Sequence, residues 1–218
     1  MTPDISQESQ HTAMSEEQLF IGDNERAVFA VVYSPEVCPV AAVVFCPPLF
    51  EERKSSQRVL VEAARAFCQA GIAVVRFDFR GCGDSPGAFR DYGLIYWLED
   101  VRAAAAFMKR RFADMPSGLL GLRAGALPAA RAVREAACDF LVFWAPVLDG
   151  GAYLRQELRK KLTKEMMTFG SARESRAALL ERLESGNEID LDGYPVTGGL
   201  FSELEDTVIS GDEWERGT

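Results

Sequence analysis

The sequence predicts an α/β protein of three layers, a mostly parallel sheet with helices on both faces. Three observations predict it. Apolar, β-branched runs alternate with segments of helical period from residue 41 to residue 145. Parallel strands need crossover connections, so such alternation implies a sheet covered on both sides. The runs stop at Gly or Pro, as at Pro47-Pro48, Gly71 and Gly81. Finally, 218 residues that are 48% hydrophobic suffice for one domain with a sizeable core.

Each element has its own signal. Residues 1–16 are polar and are expected to be a disordered tail. Residues 18–21 and 27–33 read as two short strands joined by a turn at Gly22-Asp23-Asn24. Residues 41–46 suit a buried central strand. Residues 55–70 carry a helix, with Val59, Leu60, Ala63, Ala64 and Phe67 at helical spacing and Gly71 as its stop. Residues 72–79 form the next strand, followed by the tight loop Gly81-Cys82-Gly83-Asp84-Ser85-Pro86-Gly87. Residues 96–112 read as a long helix with Trp97, Val101, Ala104, Ala105 and Met108 along one side. A strand at 118–122, a helix at 124–137 and a buried strand at 140–145 complete the alternation. Pro128 is tolerable because it lies in the first turn of its helix. Beyond Asp149 the pattern changes to two charged helices, at 153–169 and 172–183. A loop at 193–199 and a last short element at 201–209 follow. The expected organisation is a tail at 1–16, a core at 17–149, and a helical, lid-like segment with an acidic tail at 150–218.

Composition excludes several function classes. The net charge is −9, and Arg216 is the only basic residue after Glu184. Bulk electrostatics therefore disfavours nucleic acid or an anionic membrane surface. No apolar run is long enough to span a bilayer, and the N-terminus lacks the apolar centre of a secretory signal. A cytoplasmic location is expected. Cys38, Cys46, Cys68, Cys82 and Cys138 are scattered without a Cys-x-x-Cys pair, so reduced thiols are expected and neither disulfides nor a metal site. The glycines at 81, 83 and 87 fail the dinucleotide spacing, no Gly-Lys-Ser/Thr follows, and no cofactor is expected. The single His, His11, lies in the polar tail, where it lacks the fixed geometry a general base needs.

Two segments carry a resemblance. Asp78-Phe79-Arg80-Gly81-Cys82-Gly83-Asp84-Ser85 resembles the Arg-Gly-x-Gly-x-Ser turn of α/β-hydrolases. Gly121-Leu122-Arg123-Ala124-Gly125 resembles their Gly-x-Ser-x-Gly nucleophile elbow, with Arg123 in the serine position. More closely, the chain is similar to the type 2 hydrolases associated with the exosortase A system. That similarity rests on Pro47-Pro48, Glu51-Glu52, Lys54-Ser55, the Gly81–Ser85 loop, Trp97-Leu98 with Asp100, and the elbow through Gly125-Ala126, with a weaker echo at Gly193-Tyr194-Pro195. It covers roughly residues 41–167. The resemblance implies an α/β-hydrolase fold, a link to bacterial protein sorting and exopolysaccharide loci, and arginine at the elbow as a family habit.

The chain departs from a working hydrolase in three respects. Arg123 is permanently protonated and cannot attack a carbonyl. No His follows the elbow. The sheet is expected to lack the last two strands, which in the superfamily carry the acid and the His. Asp149 follows a strand, yet has no base to orient and reads as a turn or helix-cap residue.

The residues then support two uses of Arg123. In one, Arg123, the backbone N–H of Ala124, and backbone from Leu49 or Phe50 bind a carboxylate, phosphate or sulfate at a helix N-terminus, with Arg80 as a second donor. In the other, Glu51, Glu52 or Asp84 neutralises Arg123 internally. The leading expectation is a non-catalytic protein binding a small anionic ligand or a protein partner, and self-association is a further expectation. The alternative is an esterase or thioesterase with a non-standard nucleophile such as Cys46 or Cys82. Ser85 is expected to serve only as a hydrogen-bonding residue of its turn.

Overall fold

The computed structural model describes residues 14–210. Six strands form one sheet in the order β1-β2-β4-β3-β5-β6. They are β1 (Met14–Ile21), β2 (Val28–Pro35), β3 (Ala41–Cys46), β4 (Ile72–Phe77), β5 (Ser117–Leu122) and β6 (Phe140–Trp144). β2 pairs antiparallel with both β1 and β4, whereas β4-β3, β3-β5 and β5-β6 are parallel. Only β2 therefore runs against the rest. Among the described residues no strand follows β6 in this sheet.

Alternation of side chains explains the layers. In β3, Val43 and Phe45 point to one face and Ala42, Val44 and Cys46 to the other. The first face is covered by α2 (Gln57–Gln69) through Leu60, Ala64 and Cys68. Val59, expected on that buried face, is exposed. The second face carries the larger core. There α3 (Leu94–Arg111) buries Trp97, Val101, Ala104, Ala105 and Met108, the stripe its period predicts. The short α4 (Ala126–Ala132) adds Leu127, Ala129 and Ala132. It stops earlier than its sequence suggests, in turns that reach Ala137 with φ +49°.

Three expectations need correction. β1 starts at Met14, inside the stretch expected to be disordered, because its full length pairs with β2. β6 is a half-exposed edge strand rather than a buried one, with Val142 and Trp144 exposed. Residues 193–199 are not a loop. β7 (Ile189–Leu191) and β8 (Tyr194–Val196) form a hairpin, and α7 (Gly198–Glu205) starts immediately after it. The segment expected to be lid-like packs into the main core through several apolar side chains. From α5 (Gly150–Phe169), Leu154 and Leu158 are fully buried in the main core, as are Val196 and Leu204; α6 (Arg176–Glu184) adds Leu179 and Leu183. His11 and the residues after Ser210 lie outside the described residues.

Candidate functional site at the strand-to-helix elbow

Arg123 stands in the sharp turn between β5 and α4, at the position where the motif resemblance places a serine. Arg123 has φ +51°, a left-handed conformation that is uncommon for a residue with a Cβ. Two glycines make the turn possible. A Cβ on Gly121 would lie 2.5 Å from the Cα of Ala126, and one on Gly125 would lie 2.3 Å from the carbonyl oxygen of Cys46. The second contact presses the elbow against the end of β3. That brings it beside α1 (Phe50–Ser55), which starts after Leu49. Phe50 also has positive φ, +52°, and its buried ring stacks on Tyr153 at 6.0 Å. Leu49 and Ala124 are buried in the same core.

The Arg123 side chain is engaged on two sides. Its Nε and Nη2 donate to Oε1 of Glu52 at 3.3 and 3.1 Å, and Nη1 donates to the carbonyl of Ala145 at 3.0 Å. Of the three acidic partners expected, only Glu52 takes the role. Glu51 pairs with Lys54, and Asp84 packs through its backbone N–H on Asp78. Glu52 has one further donor and one further cation beside it. Tyr153 Oη lies 3.5 Å from its Oε2, and Lys160 Nζ lies 3.9 Å from its Oε1. Burial, followed by the charges of Glu52 and Glu157, pushes the Tyr153 phenol well above its ordinary value, so it remains a proton donor. Lys160 is held in turn by Glu157 at 2.7 Å. The cluster thus balances two cations, Arg123 and Lys160, against two carboxylates, Glu52 and Glu157, and Arg123 and Glu52 stay partly open to solvent.

Arg80 does not join this cluster, which corrects its expected role as a second anion donor. Its Nε donates to Asp100 at 2.6 Å, and its Nη2 donates to Glu99 and to the carbonyl of Tyr96 at 2.9 and 2.7 Å. Its backbone N–H donates to Asp100 as well, at 2.9 Å. Burial opposes its charge, but Glu99 and Asp100 hold its pKa above the ordinary value. Arg80 fastens the glycine loop to α3. Ser85 does the same for β2: its Oγ donates to the carbonyl of Asp78 at 2.5 Å and accepts from the N–H of Phe29 at 2.8 Å.

Cys46 and Cys82 are poor nucleophiles. Both are buried; desolvation pushes Cys46 far above its ordinary value and Cys82 to about 12. Thiolate is the attacking form, so neither is poised to react at neutral pH. Asp149 caps α5, accepting from the N–H of Ala152 at 2.7 Å. Among the described residues no group of three or more His, Cys, Asp or Glu could hold a metal ion, and no helix is long and apolar enough to cross a membrane.

The sequence reading missed Ala145, Tyr153, Glu157 and Lys160. Tyr153 stands 101 residues from Glu52, and no motif links them. The only available signal was helical spacing, since residues 153, 157 and 160 share one face of a helix.

Comparison with known proteins agrees with this frame. Residues 38–188 match the family described as serine aminopeptidase, S33. An α/β serine hydrolase without lid from Xanthomonas campestris aligns at 28% identity and a TM-score of 0.54, over 61% of this chain and 62% of that one. The chain thus spans less than two thirds of that protein's length. A hypothetical protein from Pseudomonas aeruginosa aligns over 97% of this chain and 78% of its own, at 15% identity and a TM-score of 0.58. Est1E from Butyrivibrio proteoclasticus, solved with ferulic acid bound, aligns over 86% and 70% at 20% identity and a TM-score of 0.57. The last two likenesses are of fold alone. No curated protein matches the chain.

Proposed function

The chain belongs to the serine aminopeptidase S33 family of α/β-hydrolases, and from that premise we propose that it is a non-catalytic member whose elbow binds a small carboxylate. One observation carries the reading. The residue at the nucleophile position is an arginine whose guanidinium already grips a carboxylate, that of Glu52, with Tyr153 as a further donor and Lys160 as a nearby cation. The cradle fits this chemistry, since planar guanidinium and carboxylate match in geometry. A ligand carboxylate, free or on a partner protein, takes the place of Glu52. Fold does not establish activity; the chemistry of the site does.

An esterase with a relocated nucleophile has little to draw on, because both buried thiols hold their protons. The motif similarity supports a place beside exosortase and exopolysaccharide systems.

Competition between ligand and Glu52 makes the proposal testable. Ligand binding raises the unfolding temperature by mass action. Short-chain carboxylates such as hexanoate should raise it in the wild type and more strongly in Glu52→Gln, which removes the competing charge. Arg123→Ala should abolish the shift. A shift that survives Arg123→Ala and ignores Glu52→Gln would rule the site out.

A further inference from the structure

Helix α5 runs from the elbow to an apolar tip that nothing in the elbow chemistry uses. Tyr153, Glu157 and Lys160 serve the elbow, and the helix ends nine residues beyond Lys160, ~14 Å along its axis. There Met166 is 57% exposed, Met167 83% and Phe169 59%. Scattered exposed apolar residues are ordinary, but three large ones within four positions form a patch. The patch has a cationic border. Arg159, Lys160 and Lys164 line a groove of 670 Å³ that Met167 also borders, and the Arg173 guanidinium lies 4.7 Å from the centre of the Phe169 ring.

Charge is distributed unevenly. Residues 150–176 hold seven Lys or Arg and three Glu, a net +4 within a chain of −9. Some of these cations are internally paired: Lys164 with Asp192, Lys161 with Glu165, and Lys160 with Glu157. Arg159 has no ion pair among the described residues. At physiological salt, charges farther than ~8 Å apart are largely screened, so a local patch outweighs the negative total.

We propose that the C-terminal end of α5 docks on an anionic lipid surface. Met166, Met167 and Phe169 enter the boundary between headgroups and acyl chains, and Arg159 and Arg173 meet the lipid phosphates. Basic residues beside protruding apolar ones are the chemistry of interfacial helices. Exposed, unbranched Met side chains and an aromatic ring suit a fluid surface, and the neighbouring cations are complementary to its charge. Bulk charge alone argued against such a partner. The patch reverses that argument locally, and it does so whatever occupies Arg123.

The test is sedimentation of the full chain with vesicles of phosphatidylcholine alone or containing phosphatidylglycerol. Binding is expected only to the anionic vesicles and should weaken with salt. Arg159→Glu removes one cation and adds an anion; at ~1 kcal/mol per charge near the surface, binding should fall by about thirtyfold. The exposed triple variant Met166→Ser, Met167→Ser, Phe169→Ser should retain its fold by circular dichroism and lose binding. Failure of the wild type to sediment overturns the proposal, as does sedimentation undiminished in the triple variant. Self-association without vesicles that the triple variant relieves would also overturn it, assigning the tip to a second copy of the chain.

Discussion

Arg123 and Glu52 together decide how the elbow is read. Their pair is half-buried and its geometry is good, so Glu52→Gln should lower unfolding stability by about 1 kcal/mol, measured by urea denaturation. No change would mean that solvent already serves both groups. The sequence narrowed the partners of Arg123 to three nearby acids, and Glu52 is one of them. It could not choose, because only the turn of α1 decides which carboxylate faces the elbow. Arg80 shows the reverse. Its neighbours in sequence suggested a crevice, but Asp100 and Glu99 on α3 claim its donors. Asp100 also sets a pH dependence. Burial pushes its carboxyl up to about 6 against the hydrogen bonds from Arg80. A raised folded-state value means the folded chain holds that proton more tightly. The contribution of Asp100 to stability is therefore full below the ordinary carboxylate range and is lost as pH rises through about 6. Across pH 4–7, the wild type should lose stability relative to Asp100→Asn as pH rises. A difference constant with pH would contradict the assignment.

At the scale of elements, the elbow depends on close backbone approach. Gly125→Ala would drive a Cβ into the carbonyl of Cys46, which β3 cannot easily move. A loss of about 3 kcal/mol is expected, visible as a lowered denaturation midpoint. A neutral result would mean the turn can open. Elements with a long, regular period were legible: β3 and the buried stripe of α3 appear as expected. Shorter ones were not. β7 and β8 have three residues each, too few for alternation to register, and their pairing is fixed by burial of Ile189, Tyr194 and Val196. β6 is as apolar in sequence as an interior strand, and only its place at the end of the sheet exposes it.

The whole molecule has one main core that spans both halves of the chain. Leu154, Leu158 and Leu204 share it with Trp97 and Val101. Leu158→Ala should therefore cost about 2–5 kcal/mol and shift a single cooperative transition. Two separate transitions would show that the helices after Asp149 unfold on their own. The lid-like character expected there came from the charged residues that dominate α5 and α6, while their few buried leucines make the attachment. On the proposed function, the scaffold persists without hydrolytic chemistry. The most direct measurement is turnover of p-nitrophenyl acyl esters and acyl-thioesters by the purified chain, with Arg123→Ala, Cys46→Ala and Cys82→Ala beside it. All four proteins should match the uncatalysed background. Turnover by the wild type that disappears in either cysteine variant would contradict the account and establish a relocated nucleophile.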